Sequence, residues 1–152
     1  MDEIDRLLSI IRARGHEVWI AGGASPSEVA KLQIAINAEL PPSLDMFLMT
    51  YGALGIIDNF LSGIVDDNAL DCGNGGIYGD TMILREPGSV PASLWAIKVH
   101  DDGAYCIDIN RPTSKGEFAI VNYEHDSRQH DAILATSYEE FILKWFLEAW
   151  AR

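Results

Sequence analysis

Leu94-Trp95-Ala96-Ile97-Lys98-Val99-His100-Asp101-Asp102-Gly103-Ala104-Tyr105-Cys106-Ile107-Asp108-Ile109 sets two apolar, β-rich runs around an Asp-Asp-Gly segment. Runs of this composition fit strands, and Asp-Gly between two of them is a strong hairpin signal. The stretch therefore predicts strands over 94–100 and 104–109 joined through Asp101, Asp102 and Gly103. Downstream, residues 117–123 repeat the composition and predict a third strand. Ser137 with Glu140 three residues on forms a capping box, in which hydroxyl and carboxylate satisfy orphan backbone N–H groups. It launches a final helix whose α-helical spacing turns Tyr138, Phe141, Ile142, Trp145 and Ala149 inward.

Upstream of the hairpin the period changes. Ile4, Leu7, Leu8 and Ile11 follow i, i+3, i+4, i+7 and predict a helix over 3–13, with Gly15 as its stop. Ser25, Pro26 and Glu28 are a second capping box with Pro at the first helical position; Val29, Leu32 and Ile36 line the inner face of that helix. Leu40-Pro41-Pro42 breaks it. A third helix, carrying Leu44, Phe47, Leu48 and Tyr51 on one side, runs to Gly52. Residues 56–65 read as one strand, 66–79 as a flexible loop or lid rich in Asp, Asn and Gly, and 78–85 as a short helix. Helices, then strands, then one closing helix indicate an α+β fold with a largely antiparallel sheet. No repeat or long linker divides the 152 residues, so a single domain over 1–152 is expected.

Composition narrows the partners. Hydrophobic content of 48% and charged content of 22% suit a globular chain and argue against disorder. The net charge is −12, and from Leu32 to Leu84 there is no Lys, Arg or His against seven acids: Glu39, Asp45, Asp58, Asp66, Asp67, Asp71 and Asp80. A field of one sign attracts cationic surfaces and repels nucleic acid and anionic membranes. No apolar run approaches the ~20 residues that span a bilayer. The acidic, amphipathic start at Asp2, Glu3 and Asp5 does not read as a secretory leader, and Cys72 and Cys106 have no metal-binding spacing. A cytoplasmic protein with reduced cysteines is expected.

Six segments in order carry a resemblance. They are Ser25-Pro26-Ser27-Glu28; Leu40-Pro41-Pro42-Ser43 with Phe47-Leu48; Tyr51-Gly52-Ala53-Leu54-Gly55; Ala104-Tyr105-Cys106-Ile107-Asp108; Glu117-Phe118-Ala119-Ile120-Val121; and Thr136-Ser137-Tyr138-Glu139-Glu140-Phe141. Together they resemble the SUKH superfamily, the domain of the fungal Smi/Knr cell-wall regulators and of many bacterial immunity proteins. The resemblance covers residues 24–150 and departs at Gln33, where Glu is frequent, and at Ala119, where Pro is common. It implies a non-enzymatic binding protein that neutralises a cognate polymorphic toxin, such as a nuclease with a basic cleft, by covering that cleft with an acidic concave face. The other role it implies is that of a regulatory or scaffold adaptor.

On this reading Asp66, Asp67 and Asp71 in the Gly- and Asn-rich loop are the first partner contacts, with Asp101 and Asp102 in the hairpin turn, then Glu124 and Asp126. Simple solubilisation of a loop is the plainer explanation of the same charges. A small metal-dependent hydrolase is the remaining alternative. Glu124-His125-Asp126 with His130-Asp131 supplies ligand types, but two His five residues apart do not stack on one helical face. His100 as a base with Cys106 or Ser114 as nucleophile competes with the ordinary turn role of Asp101 and Asp102. Gly73, Gly75, Gly76 and Gly79 lack the Lys and the sixth-position Gly of phosphate-binding loops. No cofactor, metal, nucleic acid or membrane partner is expected. Trp19, Trp95, Trp145 and Trp150 read mostly as core by position, with Trp150, near the terminus, the candidate for a binding surface.

Overall fold

Ile4, Leu7, Leu8 and Ile11 are all buried on one face of α1 (Asp2–Ala13), and Gly15 leaves it with φ +87°. The computed structural model describes residues 2–73, 75–127, 130 and 132–152. After α1 come β1 (Val18–Ile20), α2 (Pro26–Ile36), α3 (Pro42–Thr50), β2 (Leu54–Ile56) and β3 (Asn59–Leu61). They are followed by α4 (Ile77–Arg85), β4 (Leu94–His100), β5 (Gly103–Pro112), β6 (Phe118–Glu124) and β7 (Ile133–Ala135). The chain closes with α5 (Tyr138–Glu140), a π-helical segment (Phe141–Leu147) and α6 (Glu148–Ala151). The architecture is α+β, and every pair of named strands is antiparallel.

The strands form two sheets, β1-β2-β3 and β4-β5-β6-β7. They are joined where β4 bulges between Ala96 and Lys98: the carbonyl of Ile97 accepts from the Ser62 amide at 2.8 Å. The four-stranded sheet is buried on both faces. Trp95, Ile97, Ile107 and Ile120 enter the main core with α1, α2, α3 and the closing helix. Leu94, Ala96, Ala104, Cys106, Val121 and Tyr123 form a smaller cluster with Leu84 of α4. Gly103 permits the close pairing of β5 with β6, because a Cβ there would sit 2.0 Å from the Tyr123 carbonyl oxygen.

The expected strand over 56–65 is instead a hairpin. β2 and β3 pair Ile56 with Asn59, so Ile57 and Asp58 make the turn, with Ile57 at φ +54°. A β-branched residue is a rare outlier there, so turn chemistry in the sequence gives no notice of it. The closing helix also differs. A π-helix hydrogen-bonds i to i+5, so residues five apart share a face: Phe141 with Phe146 and Ile142 with Leu147 are buried. Trp145 is thereby turned out, 50% exposed, and donates its indole N–H to the Leu134 carbonyl at 3.2 Å. Ala149 is exposed as well.

Tyr138 is wholly buried against Phe47, and its hydroxyl has no hydrogen-bond partner among the described residues. Burial pushes its phenol well above the ordinary range. An unpaired buried hydroxyl costs free energy, so Tyr138→Phe is expected to raise stability by up to about 1 kcal/mol. The denaturation midpoint reads this out; a clear loss of stability would show that the hydroxyl is paired.

Candidate protein-interaction surface

Asp66 and Asp67 are the two central residues of a tight turn in which the Asn68 amide donates to the Val65 carbonyl at 3.1 Å. Both are left-handed, with φ of 54° and 48°, the pattern of a type I′ turn. Asp is one of the few side chains that visit this region readily. Hydrogen bonds of Asp67 and Asp71 tie two points of the expected loop to the backbone. Asp67 accepts from the Ser25 amide at 2.8 Å, at the start of α2. Asp71 is half-buried and accepts from the Gly73 amide at 2.9 Å. Asp66 alone of the three is exposed with no polar contact among the described residues.

The expected capping box at α2 is redistributed. The Ser25 hydroxyl accepts from the Glu28 amide at 3.4 Å, as a cap should. The Glu28 carboxylate, however, leaves the Ser25 amide to Asp67 and accepts instead from the Ala69 amide at 3.0 Å. Its other oxygen pairs with Lys31 at 2.6 Å. Lys31 first, then the Ala69 amide, holds the Glu28 carboxyl below its ordinary value. The Ser137 box is shared likewise: Glu140 turns to the Thr136 hydroxyl at 3.0 Å.

The second acidic group lies at one end of the four-stranded sheet. Asp101 and Asp102 make the turn between His100 and Gly103, and Gly103 pairs with Glu124. The Asp102 carbonyl accepts from the His125 amide at 2.9 Å, which brings Asp126 to the same end. Asp101, Asp102 and Asp126 are exposed and Glu124 is half-buried. Asn122 binds Glu124 through its amide at 3.0 Å and lies 2.7 Å from His100 Nε2. The seven expected contact acids therefore fall into two groups: Asp66, Asp67 and Asp71 in the segment that Asp67 ties to the start of α2, and Asp101, Asp102, Glu124 and Asp126 around the β4–β5 turn.

The residues proposed for hydrolysis are placed for other work. His100 Nδ1 accepts from the Asp102 amide at 3.1 Å, so both ring nitrogens are engaged. Cys106 is fully buried in the smaller apolar cluster, and burial, with the nearby Asp108, pushes its thiol up to about 12. Ser114 lies exposed in the β5–β6 connection. Among the described residues no three His, Cys, Asp or Glu are grouped to hold a metal ion, and Asp131 lies outside those residues. No described helix is long and apolar enough to cross a membrane.

Asp80 sits in a half-buried position and accepts from the Ser62 hydroxyl at 2.5 Å. Burial raises its carboxyl above the ordinary 3.8, and the Ser62 bond offsets only part of this. A raised folded-state value means that the fold favours the neutral acid. This contribution is complete below the unfolded value and is lost as pH rises through the folded one. Asp80→Asn is accordingly expected to gain stability relative to the parent as pH climbs from 3 to 7, measured by parallel thermal melts. A constant difference over that range would count against it.

Besides Trp145, two further exposed aromatics are not anticipated by the sequence analysis. Trp95 is buried and Trp150 is half-buried, edge-on to His16 at 5.3 Å, but Trp19 is 41% exposed. Alternation in Val18-Trp19-Ile20 was the available signal, since Val18 and Ile20 both pack on the core. Its neighbour Phe60 is 50% exposed. Residues 4–147 match a family model, SUKH_5, described as SMI1-KNR4 cell-wall.

Proposed function

The chain belongs to the SMI1-KNR4 cell-wall family of SUKH proteins, and from that premise we propose that it is a non-enzymatic, cytoplasmic immunity protein that neutralises a basic toxin. The observation that supports this best is the presentation of carboxylates on two rigid turns of a chain with net charge −12. Asp66 is held by the type I′ turn, and Asp101 and Asp102 by the β-hairpin. Charges fixed on short turns lose little freedom when a partner docks, which favours binding. A nuclease cleft is lined with Lys and Arg to hold phosphates. An acidic body seated over it substitutes carboxylates for phosphates and excludes the substrate. Charge complementarity acts chiefly on the rate and register of docking. Asp67, Asp71 and Glu124 contribute by fixing the backbone and the charge around those turns.

The test is co-expression with the toxin domain encoded beside this gene, followed by binding kinetics across ionic strength. Protection of the host, with an association rate that falls steeply as salt rises, is the expected result. A neighbouring gene without a toxin, or a toxin that kills equally with and without this protein, would overturn the reading. Tight binding with little salt dependence to other cytosolic proteins would favour the adaptor role instead.

A further inference from the structure

The three-stranded sheet buries Val18, Ile20, Leu54, Ile56 and Leu61 on one face. On the other it aligns Trp19, Gly55 and Phe60, since Trp19 pairs with Gly55 and Gly55 with Phe60. The Phe60 ring lies over Gly55: a Cβ there would be 2.4 Å from Phe60 Cδ1. The Trp19 and Phe60 rings meet edge-on with centroids 5.9 Å apart. The pair is thus in mutual contact as well as exposed. Beside Phe60 opens a cleft of about 230 Å³ whose lining includes Asp58, Ser62, Asp80, Lys98 and the exposed Val99. Asp58 is exposed on the β2–β3 turn, while the Lys98 ammonium is 5.7 Å from the ring centroid of core residue Phe146. Two carboxylates against one ammonium leave the cleft net negative.

We propose that the Trp19–Phe60 face and the adjoining cleft form a docking site for an arginine side chain of a protein partner. The guanidinium lies against the aromatic pair, and Asp58 at the mouth of the cleft supplies its counter-charge. Arginine fits better than lysine because its planar, weakly hydrated head stacks on rings and still donates to a carboxylate. A second copy of this chain is the poorer occupant, because two bodies of −12 repel. An anionic membrane is disfavoured on the same ground. The site rests on the basic-partner reading above and adds an aromatic anchor, the residue type that dominates protein interfaces.

The test titrates the intact, isotope-labelled chain with hexa-arginine, using hexa-lysine and hexa-glutamate for comparison. The Trp19 indole N–H signal is assigned by its loss in Trp19→Phe. A saturable shift of that signal with hexa-arginine, weaker with hexa-lysine and absent with hexa-glutamate, is the expected result. Phe60→Ala and Asp58→Asn should each weaken it about five- to tenfold, whereas Asp66→Lys should leave the Trp19 response in place. An unmoved Trp19 signal, or parental affinity in both Phe60→Ala and Asp58→Asn, would overturn the site. If a neighbouring toxin is neutralised equally by parent and Trp19→Ala, the site fails and the immunity reading stands. A parental hexa-arginine response with no toxin partner sustains the site and removes the immunity reading.

Discussion

Replacing Glu117 by alanine is expected to lower stability by about 3 kcal/mol, from the loss of several bonds to a charged acceptor. Its carboxylate accepts from the Ser43 amide at 2.9 Å, the Ser43 hydroxyl at 2.7 Å and the Tyr138 amide at 3.4 Å. These donors belong to the first turns of α3 and α5, so one carboxylate closes two helix starts. At α3 the need is acute, because the N-cap residue is Pro41 and it offers no side-chain hydrogen bond. A negative charge at a helix start is favoured by the macrodipole as well. Clefts of about 410 Å³ adjoin the site, so water can reach some of the orphaned donors and keeps the loss from growing larger. Glu117→Gln should fall between parent and alanine, since it keeps an acceptor and loses the charge. The measurement is the urea midpoint at unchanged slope. A shift below about 0.5 kcal/mol in Glu117→Ala would show that the caps are dispensable.

On the immunity reading, reversing Asp101 and Asp102 together to Lys is expected to slow association with the proposed toxin by about 10- to 100-fold at low salt, and less at high salt. Stability should change by no more than about 0.5 kcal/mol. Both side chains are exposed, and the hydrogen bonds of Asp102 to His100 and His125 run through its backbone. The pair therefore separates binding from folding cleanly. Asp67 does not, because its carboxylate carries the Ser25 amide, and removing a helix-start acceptor costs about 1 kcal/mol. Asp66→Asn, which removes the charge and keeps a side chain that tolerates the left-handed turn, is the better variant there. If the Asp101/Asp102 reversal leaves association unchanged, the hairpin end is not part of the interface.

Local pattern carried a reading far where the partners are near in sequence. The α1 stripe, the start of α2 and the 94–109 hairpin all follow from residues within a turn or two of one another, and the structure has them. The closing helix has the expected start and buries Tyr138, Phe141 and Ile142 as expected, but exposes Trp145 and Ala149. The i, i+5 choice that turns Trp145 outward depends on what Phe146 and Leu147 pack against. β7 gave no signal: it is three residues long, and Ile133 is exposed. The acids are legible as charge and not as geometry, since Asp67 takes the Ser25 amide that spacing assigns to Glu28, and Glu28 takes the Ala69 amide instead.

The α+β class, the hairpin and the charge are legible in composition and short-range periodicity, which act before the chain is folded. The family is legible in the order of the segments that resemble it and in the match over residues 4–147. Only the tertiary structure decided which carboxylates stay free and which become caps. Ser25 finds its acceptor in Asp67, and Ser43 finds one in Glu117. A backbone N–H at a helix start, which has no acceptor within its own helix, takes whichever oxygen the fold brings within about 3 Å, and separation along the chain has no bearing on that distance.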